Sequence, residues 1–164
     1  MKQVAYIFLL TSFLLNSGNI FAQEPDSVLT GTITYPQLLE GEYASWFMPE
    51  YGAYHPDREI LNKLTPALYS YDILLVMGTW CHDSQMQVPR LFKILDQLDY
   101  NTSLIRIVCL DYEKQAPGFD PATYSIERIP TIILLKNSRE AGRITESPEE
   151  TIEKDLLRII SGNK

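Results

Sequence analysis

Two short stretches of this sequence limit the possible folds more than any other feature. The first is residues 78–84, which carry Cys81 and follow a continuous apolar run at residues 73–77. A continuous apolar run of this length is typical of a strand that is buried on both faces. The second is Ile129-Pro130-Thr131, an Ile-Pro turn that leads into another strand-like run. The pattern predicts a strand that ends at Gly78 and a helix that begins near the cysteine.

Periodicity and turn signals predict the remaining elements of the chain. Strands are expected at residues 73–77, 104–110, 131–136 and 141–145. Helices are expected to begin at Asp57, near Cys81, at Asp120 and at a capping box in residues 147–150, and Gly162 marks the end of the last helix. Strands that alternate with helices pair in parallel, whereas the last two strands indicate an antiparallel hairpin at the edge. The sequence therefore predicts an α/β fold, with a central mixed sheet and helices on both faces.

The first 22 residues have the layout of a secretory signal peptide. Lys2 gives a positive start, residues 4–15 are nearly all apolar, and Ala22 is a small residue before the expected cleavage point. The apolar run is shorter than the ~20 residues that a membrane-spanning helix needs. We therefore expect an exported protein, periplasmic or extracellular, with no stable membrane span after cleavage.

Residues 23–56 form a tyrosine-rich N-terminal extension ahead of a domain predicted at residues 57–164. Residues 28–35 alternate and indicate a short strand, and the rest of the extension is expected to be irregular. Its aromatic side chains are expected to cover one edge of the core, because aromatic residues mainly serve burial. The alternative is a flap that shapes a groove beside the thiol. The aromatic residues in question are Trp46, Phe47, Tyr51 and Tyr54.

Charge and cysteine content limit the partners of the chain. The net charge is −7, and loss of Lys2 with the signal peptide makes it −8. Such an acidic protein repels phosphate backbones, so nucleic acid is not expected as a partner. Cys109 lies within a strand-like run and is expected to be a small core residue rather than a disulfide partner of Cys81. No metal or other cofactor is expected, because the spacings of common metal sites are missing.

Cys81 is the candidate catalytic residue because it stands at the start of a helix. Unpaired backbone N–H groups and the positive end of the helix dipole stabilise a thiolate at such a position. Ser84 lies three residues further along the same face, from which its hydroxyl can donate a hydrogen bond to the sulfur. A protonated His82 would also stabilise the thiolate, whereas Asp83 would oppose it by like-charge repulsion.

From about residue 71 to residue 162 the chain resembles the thioredoxin family. Trp80, Cys81 and Ser84 stand where that family carries Trp-Cys-x-x-Cys. Pro89 stands where the family's active-site helix carries a kinking proline. The resemblance implies a thioredoxin-like fold behind the N-terminal extension, with the cysteine as the reactive thiol.

The segment that ends in Ile129, Pro130 and Thr131 resembles the family's cis-proline turn. The resemblance implies that Pro130 is cis and faces Cys81 across the site. These three residues and Trp80 would then shape the substrate-docking surface. The backbone beside the proline would offer strand-like hydrogen bonds to an extended partner.

Four positions depart from the family's pattern. Ser84 replaces the resolving cysteine, Leu75 replaces a buried aspartate that helps to move protons, and Ile107 replaces the lysine that pairs with this aspartate. Glu146 stands near the position at which the family has a small glycine beside its substrate groove. Reduction of a disulfide passes through a mixed disulfide that a second thiol must cleave. The resemblance therefore implies thiol-disulfide exchange with protein or peptide partners, in which an external thiol reductant resolves the mixed disulfide.

Two other functions stay open at this point. The chain can instead be a non-enzymatic module of the same fold that binds a protein or peptide at the groove. A thiol peroxidase is less favoured, because the proline and threonine that the peroxidase family carries upstream of its cysteine are not at the matching positions.

Overall fold

A five-stranded sheet lies at the centre of the computed structural model, which describes residues 28–162. The strands are β1 (Gly31–Ile33), β2 (Asp72–Met77), β3 (Arg106–Cys109), β4 (Thr131–Lys136) and β5 (Arg139–Thr145). The α-helices are α1 (Gly41–Ala53), α2 (Arg58–Leu68), α3 (His82–Gln97) and α4 (Ile152–Ile160). Short 3₁₀ helices lie at Tyr35–Leu39, Thr102–Leu104 and Pro121–Tyr124. The predicted signal peptide falls outside the described residues.

The order of strands in the sheet is β1-β3-β2-β4-β5. β2 and β3 pair in parallel, and the other neighbouring strands pair antiparallel. This topology confirms the predicted α/β class, the mixed sheet and the hairpin at its edge. Residues 73–77 of β2 are all buried, as their unbroken apolar run predicted, because β2 lies between two strands and is covered on both faces.

The two faces of the sheet are covered by different kinds of structure. Leu75 and Ile107 point to the face on which buried residues of all four α-helices pack. The other face is covered by the segment between β3 and β4, which includes Ile129 and the third 3₁₀ helix. Trp80 and Cys81 pack against this second layer. A helix therefore lies on each face, but the one on the second face is only the four-residue 3₁₀ helix, and the thiol turn belongs to this thinner layer.

The N-terminal extension is more regular than its sequence predicted. β1 is shorter than the alternation at residues 28–35, and the segment expected to be irregular contains α1. The sequence did not predict α1 for two reasons. The segment contains residues that disfavour a helix, namely Gly41, Pro49 and Gly52. In addition, Phe47 is its one buried residue, so the segment lacks the apolar stripe of an amphipathic helix. β1 pairs with β3, and Phe47 joins the core cluster of the α-helices. The extension therefore contributes to the same core as the rest of the described chain.

Other predicted boundaries are confirmed or shifted by a few residues. Asp57 caps α2 as predicted, since its carboxylate accepts hydrogen bonds from the N–H groups of Glu59 at 2.8 Å and Ile60 at 3.3 Å. Asp120 begins a helix as predicted, but one of 3₁₀ type and four residues. β3 is shorter than predicted because residues 102–104 form a 3₁₀ turn before it.

The start of the last helix was predicted wrongly. α4 begins at Ile152 instead of within the capping box of residues 147–150, and Thr151 caps it. Asp155, inside the helix, accepts a hydrogen bond from the Glu149 N–H at 2.7 Å and so holds the box residues outside the first turn. Within residues 28–162, neither this helix nor any other combines the length and apolarity that crossing a membrane requires.

Candidate thiol site

Cys81 lies in the turn between β2 and α3, immediately before the first residue of the helix. Its N–H donates to the Gly78 carbonyl at 3.0 Å, which closes the turn. Its own carbonyl accepts the N–H of Gln85 at 3.0 Å, which is the first hydrogen bond of α3. The Cys81 side chain is half-buried. The predicted helix start is therefore confirmed, and the cysteine stands beside the unpaired N–H groups of the first helical turn.

The Ile-Pro turn before β4 lies against this cysteine. The peptide bond between Ile129 and Pro130 is cis, as the resemblance implied. The Cys81 thiol donates a hydrogen bond to the Ile129 carbonyl, with 3.4 Å between Sγ and the oxygen. The fold thus brings together a sulfur and a turn that stand 48 positions apart in the chain.

The residues of the cis-proline turn are buried, and their polar groups have partners. Ile129 is 5% exposed and Thr131 is 1% exposed. The Thr131 hydroxyl donates to the Arg128 carbonyl at 2.6 Å, and the Pro130 carbonyl accepts the N–H of Glu146 at 2.7 Å. All three predicted docking residues of the turn, Ile129, Pro130 and Thr131, are therefore buried.

Glu146 lies beside the turn, where the resemblance implied a small glycine. Its φ of 59° falls in the left-handed region that favours glycine. Its carboxylate forms an ion pair with Arg128, with 2.6 Å between Oε2 and Nη1. A charged pair therefore borders the turn on this side.

Trp80 is held in place beside the thiol. Its indole N–H donates to the Leu110 carbonyl at 2.9 Å, and its ring lies 5.1 Å from the ring of Tyr112. A Cβ atom on Gly78 would lie 2.9 Å from both the Trp80 ring and Cδ1 of Ile129. The absence of a side chain at residue 78 thus allows the ring, the turn and the end of β2 to meet.

Neither of the two predicted assisting residues forms a hydrogen bond with the sulfur in the described chain. Ser84 is fully buried, and its Oγ accepts a hydrogen bond from the Gly78 N–H at 3.3 Å. No hydrogen bond among the described residues joins this hydroxyl to Cys81, which corrects the expected contact; the tight turn offers the hydroxyl a nearer backbone partner. His82 is exposed and lines a groove toward α1 with Met86. Within residues 28–162, no group of three His, Cys, Asp or Glu side chains is arranged to hold a metal ion.

Apolar residues fill the sheet at the two positions where the resemblance implied a carboxylate and a lysine. Leu75 on β2 pairs in register with Ile107 on β3, and both are fully buried. Cys109 lies two residues further along β3, and burial raises the pKa of its thiol to about 12. Both cysteines are free, and Cys109 is fully buried. The prediction that Cys109 is a small core residue is confirmed.

A cleft that the sequence did not locate opens beside Trp80. It has a volume of about 230 Å³, and its walls include Trp46 of α1 together with Trp80 and Tyr112. Phe47 is buried in the core, which agrees with the first interpretation of the extension's aromatic residues, and Trp46 lines the cleft from α1. No local sequence signal marked this cleft, since Trp46 stands between Ser45 and Phe47 and the other aromatic walls come from Trp80 and Tyr112.

No protein-family model matches the chain, and no curated protein matches it. Among solved structures, it is similar to a protein of unknown function from Pseudomonas aeruginosa, with a TM-score of 0.51 and 17% identity over 74% of this chain and 82% of that one. It is also similar to an HIV epitope scaffold (TM-score 0.46, 15% identity, 80% of this chain and 90% of that one). A thioredoxin from Fasciola hepatica matches with a TM-score of 0.39 and 18% identity over 63% of this chain and 91% of that one.

At these identities the similarities concern the fold alone, and the two lower scores add nothing to the argument. The fold of the described chain is thioredoxin-like. The features that carry this statement are the mixed sheet, the helix that begins at the thiol turn, and the cis-proline turn opposite it.

Proposed function

We propose that this chain is a member of the thioredoxin family that carries out thiol-disulfide exchange with a single thiol, Cys81. The observation that supports this most directly is the 3.4 Å contact between Cys81 Sγ and the carbonyl of Ile129, next to the cis bond of Pro130. A half-buried sulfur at a helix start, beside a backbone acceptor, is suited to attack a disulfide that docks along that backbone.

In the proposed reaction, the Cys81 thiolate attacks one sulfur of a protein or peptide disulfide. One S–S bond forms between Cys81 and the partner, the original S–S bond breaks, and the departing thiolate takes up the proton that Cys81 released. An external thiol reductant then attacks the Cys81 sulfur of the mixed disulfide, and the partner leaves as its second thiol. A second thiol of the reductant breaks the new reductant–Cys81 bond, so that the reductant ends as a disulfide and Cys81 as a thiol. The reductant is required because Ser84 has no sulfur with which to cleave the mixed disulfide. The thiolate no longer donates to the Ile129 carbonyl, so this oxygen becomes free to accept an N–H group from an extended partner chain.

The proposal places this chemistry outside the cytoplasm. It rests here on the signal-like layout of residues 1–22 and on the fact that disulfide substrates persist in oxidising compartments. The external reductant would then be a small thiol or a second redox protein of that compartment.

The experiment is to trap the mixed disulfide. The protein is incubated with a cysteine peptide activated as a disulfide with 2-thiopyridine, and the intact mass is measured. We expect a one-to-one adduct in the wild type and in Cys109→Ala, its loss in Cys81→Ala, and its release when excess glutathione is added. An adduct that forms no faster than with a free cysteine in an unstructured peptide would refute the proposal.

A binding module remains the second candidate, and the buried environment of Ser84 and Leu75 favours it. Neither side chain can resolve a mixed disulfide or carry a proton, so the fold can be kept for docking alone. The two candidates are separated by the Cys81→Ala variant. If the Cys81→Ala variant binds the partner as well as the wild type does, the result supports a binding module. If the variant no longer captures a partner that the wild type holds as a mixed disulfide, the result supports exchange.

A further inference from the structure

The cleft beside the thiol turn combines aromatic walls with a negative charge. Trp46, Trp80 and Tyr112 line it together with Glu42, and among the described residues neither lysine nor arginine lines it. Its volume is about 230 Å³. The cleft can therefore admit one long side chain from a bound partner.

The walls of this cleft are fixed from both sides. Trp80 is held by its hydrogen bond to the Leu110 carbonyl and by its contact with Tyr112. On the opposite side, α1 is attached to α3 by an ion pair, with 2.5 Å between Arg90 Nη2 and Glu50 Oε1. The fully buried Phe47 ties the same helix to the core. A ligand thus meets a preformed site, so that little ordering of the protein opposes binding.

Glu42 supplies the charge of the cleft. It lies in the first turn of α1, it is exposed, and the ion pairs found within residues 28–162 do not involve it. Arg90 of α3 forms its ion pair with Glu50, which lies further along α1 than Glu42. The positive charge of Arg90 is therefore neutralised by Glu50 and not by Glu42. The net charge of −7 adds an attractive field for cations around the whole protein.

We propose that this cleft binds a lysine or arginine side chain of the protein substrate, close to the cysteine that exchanges with Cys81. This inference rests on the proposed function and names its substrate class. Aromatic residues line the cleft, and aromatic rings attract a cation through their quadrupoles, while the Glu42 carboxylate would pair with it. Trp80, which lines the cleft, is the chain neighbour of Cys81, so we place the basic residue a few positions from the exchanging cysteine.

The test uses peptides of sequence Ala-Xaa-Ala-Cys-Ala-Xaa-Ala, with lysine, glutamine or glutamate at both variable positions and the cysteine activated with 2-thiopyridine. Attack by Cys81 forms the protein–peptide disulfide and releases thiopyridine, whose absorbance gives the rate. We expect the lysine peptide to react roughly three to ten times faster than the glutamine peptide, from one exposed ion pair and one cation–π contact. The preference should shrink as salt is raised, because exposed charges are screened.

Glu42→Gln should remove the ion-pair share of this preference and leave only the smaller share that comes from the aromatic rings. Glu59→Gln is the matched control, since Glu59 is also an exposed residue in the first turn of an α-helix and the variant changes the net charge equally. The control should keep the full preference. If both variants lose the preference for the lysine peptide equally, the preference comes from net charge alone. That result would refute the binding of a basic side chain in the cleft.

A neutral disulfide without any side chain, 2,2′-dithiodipyridine, separates this inference from the proposed function. If Cys81 of the wild type reacts with it but the three peptides react at equal rates, the cleft inference is wrong and the proposed exchange stands. If Cys81 does not react with it at all, the proposed function fails, and this inference fails with it.

Discussion

Replacing Gly78 with alanine should disturb the thiol site through steric contact alone. Gly78 does not have a positive φ, so alanine can adopt its backbone conformation. The new Cβ would nevertheless lie 2.9 Å from Cε2 and Nε1 of Trp80 and from Cδ1 of Ile129. Cδ1 is the end of a flexible side chain and can rotate away. The indole cannot move as easily, because it is bonded to the Leu110 carbonyl and contacts a second ring.

The size of the effect follows from three contributions. Forcing an extra methyl group into a packed site costs about 1–3 kcal/mol. Displacement of the indole costs up to a further ~1 kcal/mol if its hydrogen bond to Leu110 is lost. Against this, replacing glycine restricts the unfolded chain and contributes about 0.4–1 kcal/mol of stability. We therefore expect Gly78→Ala to lower the free energy of unfolding by about 1–2 kcal/mol.

Gly52→Ala is the control for this prediction. Gly52 lies near the end of α1, it does not have a positive φ, and a Cβ there would meet nothing within 4 Å. Alanine at this position should stabilise the protein by about 0.5–1 kcal/mol through helix propensity. Urea unfolding of both variants under reducing conditions, followed by tryptophan fluorescence and circular dichroism, measures the difference.

The same samples report on the site itself. Displacement of Trp80 should change the native tryptophan emission of Gly78→Ala, and a shift of Ile129 should change the rate at which Cys81 is alkylated. If Gly78→Ala unfolds at the same urea concentration as the wild type, with unchanged emission and alkylation, the packing argument is wrong. A destabilised Gly52→Ala would contradict the use of that position as a control.

Three further variants test the site and its support. Ser84→Cys places a second thiol one helical turn from Cys81, and mass spectrometry should show that the peptide adduct is released without added thiol, with an internal disulfide in its place. Cys109 should resist alkylation in the folded protein. Its thiol has an ordinary pKa of 9.0 but ionises near 12 in the folded state, so the unfolded state loses the proton first. The free energy of unfolding should therefore fall as pH rises from 9, by at most about 1.4 kcal/mol per unit, and this slope should flatten between pH 9 and 10 in Cys109→Ala. Asp96→Ala removes the acceptor of the Tyr35 and Tyr51 hydroxyls, at 3.1 and 2.9 Å, and should lower the unfolding free energy by about 1–3 kcal/mol in urea titrations, more than Asp96→Asn does.

Features that depend on neighbours in sequence were predictable. The unbroken apolar run of β2 predicted a strand that is buried on both faces, and residues 73–77 are all buried. Asp57 caps α2 because the N–H groups that it accepts lie two and three residues away. The helix start at Cys81 follows a glycine turn that closes within three residues. The cis bond at Pro130 followed from the resemblance, not from any local pattern.

Features that depend on distant contacts were not predictable. The capping box before α4 matches a local rule, but Asp155 takes the Glu149 N–H and the helix starts later. α1 has glycines and a proline that disfavour a helix, and its stability comes from contacts such as the Glu50–Arg90 ion pair and burial of Phe47. Tertiary packing of this kind overrides local propensity. The cleft was missed for the same reason, since one of its walls is α1.

In the proposed exchange, the departures from the thioredoxin pattern affect only one half of the reaction. Attack on a disulfide would use the half-buried sulfur of Cys81 at the start of α3 and the Ile129 carbonyl beside it. Release needs a second sulfur and a proton carrier near it. Ser84 is turned to the Gly78 N–H, and Leu75 is packed against β3, so neither group serves release. If the proposed exchange takes place, a site that keeps the groups for attack and lacks those for release would hold its partner until another thiol arrives. The proposed binding of a basic side chain in the neighbouring cleft would then decide which partners are held.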